Sequence, residues 1–87
     1  MQDSSISNSI RNKLTEIAKR VTGNSIIKFS DSDILVEAGL IDSAGIIEFV
    51  IWIEDSFDFI IGDNEVTIEN LGSISSVTNF VASRTGS

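Results

Sequence analysis

Ile46, Val50, Ile53 and Phe57 step along the chain by four, three and four residues, and this spacing constrains the fold more than any other feature of the sequence. The stretch that carries it, SAGIIEFVIWIEDSF, is rich in isoleucine and valine, which favour strands. A strand fails on pattern: Ile46-Ile47 and the unbroken apolar run from Phe49 to Ile53 would load both faces of a sheet. A helix gathers the four stepped residues on one face, with Phe49 flanking them. Asp42 stands just before the run as a capping residue, so the spacing predicts a helix over 43–57.

The same period recurs on both sides. Ile10, Leu14, Ile17 and Val21 predict a first helix over 4–21, capped by Asp3 or a following serine and closed by Gly23. Ser73 is placed to cap a last helix with Ile74, Val77, Phe80 and Val81 on its apolar face, and EVTIEN before it predicts a short helical turn. Residues 22–41 form a connection too long for a simple turn; such loops pack on the core and often carry function. Ile26, Ile27, Leu35 and Leu40 are its expected anchors, with at most a helical turn near Asp33–Glu37. The expected fold is all-α: a small four-helix bundle of three main helices and a short third one, with a long loop between helices 1 and 2. At 87 residues it is read as a single domain, 1–87.

Neither cysteine nor histidine occurs. Disulfides are excluded, the usual zinc ligands are missing, and so is the commonest general base. The expectation is a protein that is not an enzyme and holds no metal. Residues 1–30 carry five of the six basic side chains, whereas residues 31–87 hold eleven acids against Arg84 alone. That acidic surface disfavours nucleic acid and favours basic protein partners. No segment approaches the roughly 18 apolar residues of a membrane span, and MQDSSISNS lacks the regions of a signal peptide. A cytoplasmic monomer without membrane insertion is expected.

On a helical projection, Ala44, Glu48, Ile51 and Asp55 fall opposite the core face of helix 2, with Ile47 and Glu54 on a flank. A mixed apolar and acidic stripe of this kind suits a transient interface. Ser43 lies at the helix start, where unpaired N–H groups and the helix dipole stabilise an anion such as a phosphate ester. It also reads as a simple cap, in which case the chain is a non-enzymatic interaction domain. Nucleophilic catalysis by Ser43 lacks a histidine base, and nothing in the sequence brings Lys28 to it. Asp31, Asp33 and Glu37 match the start of a calcium loop, but Leu35, Val36 and Asp42 occupy its fifth, sixth and twelfth positions, and the run from Asp63 fails similarly.

The ordered set Gly39-Leu40-Ile41, Asp42-Ser43, Glu48 and Glu54-Asp55-Ser56-Phe57 resembles the acyl, peptidyl and aminoacyl carrier proteins. Ile61-Gly62-Asp63-Asn64-Glu65 is similar to the acidic turn that follows in that family, and Ser73 to Val77 to its last helix, so the resemblance covers about residues 5–83. It implies a non-catalytic carrier on which a phosphopantetheinyl transferase places 4′-phosphopantetheine, taken from coenzyme A, at Ser43. The terminal thiol then holds acyl or aminoacyl cargo from fatty-acid, polyketide or nonribosomal peptide synthesis as a thioester. Asp42 would cap the helix and belong to the motif. Ala44, Ile47, Glu48, Ile51 and Asp55 would form the partner face, docked by basic patches on loading and processing enzymes. Three positions depart from the family. Ala44 stands where leucine is common, Gly45 where an acid is frequent, and Trp52, expected to cover the long loop, where a small residue is usual. These departures point to a specialised stand-alone carrier rather than the general fatty-acid one.

Overall fold

The computed structural model describes the backbone over residues 2–86 and side chains over residues 5–86. Four α-helices follow one another as α1 (Gln2–Thr22), α2 (Ser43–Phe57), α3 (Ile68–Leu71) and α4 (Ile74–Thr85), with a 3₁₀ turn at Asp63–Glu65 and no strand among the described residues. The expected four-helix bundle with a short third helix is present.

Local chemistry sets most of the helix ends. Asp42 Oδ1 accepts from Gly45 N–H at 2.7 Å, Thr67 Oγ1 from Asn70 N–H at 3.2 Å, and Ser73 Oγ from Ser76 N–H at 3.1 Å. Each side chain satisfies one of the N–H groups a helix start leaves orphaned. Gly23 closes α1 at φ +74°, donating to Lys19 C=O at 2.9 Å, a backbone shape that disfavours other residues. At its other end α1 reaches back to Gln2, so Asp3 lies within the helix rather than before it; its side chain falls outside the described residues.

The core is one apolar cluster. Ile10, Leu14 and Ile17 from α1 meet Phe49 and Ile53 from α2 and Ile74, Val77 and Val81 from α4. The most extensive helix pairing is α1 with α4. Full burial of one such aliphatic side chain stabilises by roughly 1.5–3 kcal/mol.

The long loop holds to this bundle by different residues than expected. Leu35 is fully buried and Leu40 packs on the core, but Ile26 is 75% exposed and Ile27 is only half-buried. The missed anchor is Phe29, which packs on the core under the Arg11 guanidinium, 4.7 Å from the ring centre. Arg11 also donates to Phe29 C=O at 3.1 Å and pairs with Asp31. One cation therefore fixes the ring, backbone and carboxylate of the loop at once. Further along, Ser75 N–H donates to Asp31 C=O and Leu35 N–H to Gly72 C=O, tying the loop to the α3–α4 junction. The expected helical turn lies slightly later than Asp33–Glu37: Ala38, Gly39 and Leu40 N–H donate to the Ile34, Val36 and Leu35 carbonyls in turn.

Candidate functional site

Ser43 is the first residue of α2 and is exposed. The cap bond comes from Asp42, so the Ser43 hydroxyl has no hydrogen-bond partner among the described residues. Ile46 N–H donates to Asp42 C=O and Gly45 N–H to the Asp42 carboxylate, which leaves the N–H groups of Ser43 and Ala44 without an acceptor among the described residues. A phosphodiester on Ser43 fits this arrangement: the oxygen that would carry it is free, and unpaired donors stand beside it.

Packing of α2 turns on Gly45. This residue is buried, and a Cβ there would lie 2.9 Å from Ile41 Cγ1, 3.0 Å from Ile17 Cγ2 and 3.1 Å from Asp42 Oδ1. The missing side chain lets α1 and the end of the long loop close onto the first turn of α2. Close approach at this point rotates the helix so that Gly45, Phe49 and Ile53 form its buried line, while Ile46, Val50 and Phe57 become half-buried flanks. The projection that centred the core on Ile46, Val50, Ile53 and Phe57 is thus off by part of a turn. Gly45 faces α1, so its lack of an acidic side chain removes nothing from the outer surface.

The same rotation moves Glu48. Its carboxylate does not stand on the outer face but leans toward α1, where Lys13 Nζ lies at 3.0 Å and an Arg20 guanidinium nitrogen at 2.7 Å. Lys13 and then Arg20, through their hydrogen bonds, hold the Glu48 carboxyl below its ordinary range. Lys13 is held above its ordinary value, first by its bond to Glu16 and next by Glu48. Trp52 also turns to this seam. It stacks on Phe49 with centroids 6.0 Å apart, meets Phe57 edge-on at 5.7 Å, and shares a groove with Ser9, Asn12, Lys13 and Glu16 of α1. It covers the α1–α2 seam and not the long loop, because an indole one turn from Phe49 continues that aromatic line.

What remains on the outer face is Ala44, Ile47, Ile51 and Asp55, spaced three, four and four, all exposed. Ile47 at 62% and Ile51 at 53% exposure form an apolar strip leading away from Ser43. Glu54 is engaged locally, accepting from Ile61 N–H at 2.9 Å. Asp31 and Asp33 are likewise committed, to Arg11 and to Ser30 N–H, and no group of three or more metal-ligating side chains occurs among the described residues.

An apolar cleft of about 120 Å³ opens between the long loop, α2 and α3. Ile46, Val50 and Phe57 are the cleft walls that the sequence suggests, and of these three Ile46 lines the cleft in the structure. Leu35, Ile41, Phe49 and Leu71 form its inner walls, and Ile46, one turn beyond Ser43, stands beside them. Val66 and Ile68 belong to the stretch read only as a helical turn. Their signal was two large apolar residues, in a short polar segment, that the helix has no core face to bury.

None of the described helices is long and apolar enough to cross a membrane. No curated protein and no solved structure matches the chain. The family model for the phosphopantetheine attachment site matches residues 12–81. That span runs from within α1 to the last core residue of α4 and includes the free serine at the start of α2. The chain therefore belongs to the phosphopantetheine-attachment family, whose members carry 4′-phosphopantetheine covalently.

Proposed function

We propose that this chain acts as a carrier domain. Ser43 bears 4′-phosphopantetheine, and acyl or aminoacyl intermediates ride on it as thioesters between partner enzymes. The observation that carries this reading is the division of labour at the start of α2: Asp42 supplies the cap and leaves the exposed Ser43 hydroxyl uncommitted. A serine that served only as a cap would hold that bond itself. In the loading reaction, Ser43 Oγ attacks the β-phosphorus of coenzyme A, the bond to 3′,5′-ADP breaks, and the serine proton leaves to the transferase. The terminal thiol supplies what a chain without cysteine cannot, a nucleophile for thioester formation.

The chain contributes presentation rather than catalysis. The transferase and the loading and processing enzymes dock on Ala44, Ile47, Ile51 and Asp55. Apolar contact gives affinity, and the charge of Asp55 steers a basic patch. Glu48 sits at the margin of this face with its charge shared between Lys13 and Arg20. The test is intact mass after incubation with coenzyme A, magnesium and a broad-specificity phosphopantetheinyl transferase. One phosphopantetheine is expected on the parent and none on Ser43→Ala. An unmodified parent alongside an active transferase would return the chain to the class of interaction domains.

A further inference from the structure

Ile60 is the most exposed large apolar side chain among the described residues, at 77%, yet its backbone is held on both sides. Asp58 N–H donates to Glu54 C=O at 3.0 Å, and the Glu54 carboxylate accepts from Ile61 N–H at 2.9 Å. Ile61 itself is buried in the core. Arg84, reaching across from α4, donates to Ile60 C=O at 3.2 Å and pairs with Glu65. The same guanidinium lies 5.6 Å from the Phe59 ring centre and 5.0 Å from that of Phe80, and the two rings meet 6.0 Å apart. Ile26 is almost as exposed, but its backbone makes no hydrogen bond among the described residues. Single exposed apolar residues are ordinary. One that α2 and α4 clamp from both sides is a preorganised projection.

We propose that Ile60 is the centre of a second docking surface, taken by a protein that presents an apolar pocket with a basic rim. The rim follows from charge. Asp58 and Asp63 flank the tip and are exposed, and neither carboxylate has an ion pair or hydrogen bond among the described residues. The cation alongside, Arg84, is neutralised by Glu65. A basic rim therefore meets two free carboxylates, which steer its approach, while the pocket takes Ile60 out of water. The clamped backbone keeps the ordering cost of binding low. A membrane surface does not match, because anionic headgroups would face the two carboxylates. Nor does a second copy of the chain. No charged side chain lines its apolar cleft, and in the groove beside Trp52 the cation Lys13 is bound to Glu16 and Glu48.

Position gives this surface its use. Ser43 and Phe57 open and close α2, so about 20 Å of helix separates the serine from the tip. A protein held at Ile60 leaves Ala44, Ile47 and Ile51 open, and the chain stays attached to it while other proteins visit Ser43. Attachment of that kind raises the effective concentration of the chain for anything joined to the tethering protein. The unmodified chain presents the tip in full, so the surface stands apart from the carrier reading.

The probe is amino-β-cyclodextrin, an apolar cavity with a basic rim, compared with the neutral and carboxymethyl forms through amide shifts of the unmodified chain. Shifts are expected at Phe59, Ile60, Ile61 and Asp63. Affinity for the amino form should exceed that for the neutral one by about tenfold at low salt and about twofold at high salt. Ile60→Ser should abolish the shifts without lowering Tm, since the side chain is exposed. Arg84→Gln should weaken them severalfold by releasing the backbone beneath Ile60. Equal affinity for the three cyclodextrins would overturn the basic rim, and stronger shifts at Ile47 and Ile51 would overturn the choice of tip. Unchanged binding by Arg84→Gln would overturn the preorganisation. The partner itself is sought with p-benzoylphenylalanine in place of Ile60, photocrosslinked in the cells that make the chain. The expected product is one identified protein, joined through an apolar segment flanked by Lys or Arg and lost when Asp58→Lys and Asp63→Lys are added. Crosslinks to a second copy alone, to lipid alone or to nothing would overturn the protein partner. Phosphopantetheine uptake at Ser43 is read separately by mass, and its failure would overturn the carrier reading alone.

Discussion

Gly45→Ala sets two effects of similar size against each other, and the structure decides between them. In an open helix, replacing glycine by alanine stabilises by about 1 kcal/mol. At position 45 the new methyl would lie 2.9 Å from Ile41 Cγ1 and 3.0 Å from Ile17 Cγ2. Both are branch atoms close to the backbone, and Ile17 is wholly buried and Ile41 nearly so, so neither swings aside freely. The methyl also meets Asp42 Oδ1 at 3.1 Å, the oxygen that caps the helix. Overpacking of this kind costs about 1–3 kcal/mol. The balance is a net loss of about 1 kcal/mol, which in a domain of this size lowers Tm by about 4–8 °C. Thermal unfolding followed by far-UV circular dichroism measures it directly. Ile41→Ala removes the closest atom, so Gly45→Ala should be less harmful in that background, a coupling that a double-mutant cycle reads. A Tm that rises in the single variant would mean that propensity dominates and that α1 and α2 do not approach so closely.

Ser43→Ala removes a side chain without hydrogen bonds among the described residues, so stability should stay within about 0.5 kcal/mol of the parent while loading is lost; a large drop in Tm would mark the serine as structural. Asp55→Lys should raise the transferase KM for the carrier, most of all at low salt where screening is least, while leaving Tm nearly unchanged. Glu48→Gln should do the reverse, lowering Tm with little effect on KM, because its charge is spent on Lys13 and Arg20; equal KM effects of the two variants would refute this division. The Glu48 carboxyl is held below its ordinary value, so its contribution is full above about pH 4.3, its unfolded value, and fades as pH falls through the lower folded one. The Lys13 ammonium, held above its ordinary value, contributes fully below about pH 10.4 and loses its part as pH rises through the folded one. A Tm profile should therefore fall at both ends, and Glu48→Gln should flatten the acid limb; an unchanged acid limb would refute the assignment.

Helical period and capping chemistry are local, and what depends on them was legible. The bounds of α2, the caps at Asp42 and Ser73, and the closing Gly23 all follow from residues within a turn of one another. The rotation of α2 was not legible, because it depends on Gly45 meeting Ile17, a contact between segments 28 residues apart. The error at Glu48 follows from the same cause: a projection treats each helix alone, and Lys13 and Arg20 belong to another. Hydrophobicity alone does not separate Phe29 from Ile26 as an anchor; Phe29 is the one that Arg11 reaches from α1, while Ile26 stays exposed. Ser43 was found from its neighbours in sequence, but the freedom of its hydroxyl appears only once Asp42 is seen holding the cap bond.

The dominance of the α1–α4 pairing has a consequence for biosynthesis. During synthesis the nascent chain presents α1 first, yet the helix that covers most of its apolar face is the last of the four to be made. The α1 stripe therefore emerges from the ribosome uncovered and has to wait for Ile74, Val77 and Val81 before the bundle can close. Such closure between distant segments makes the chain a slower folder than its short helices alone would suggest. If Ser43 is the attachment point proposed above and its transferase requires the closed bundle, modification follows the docking of α4.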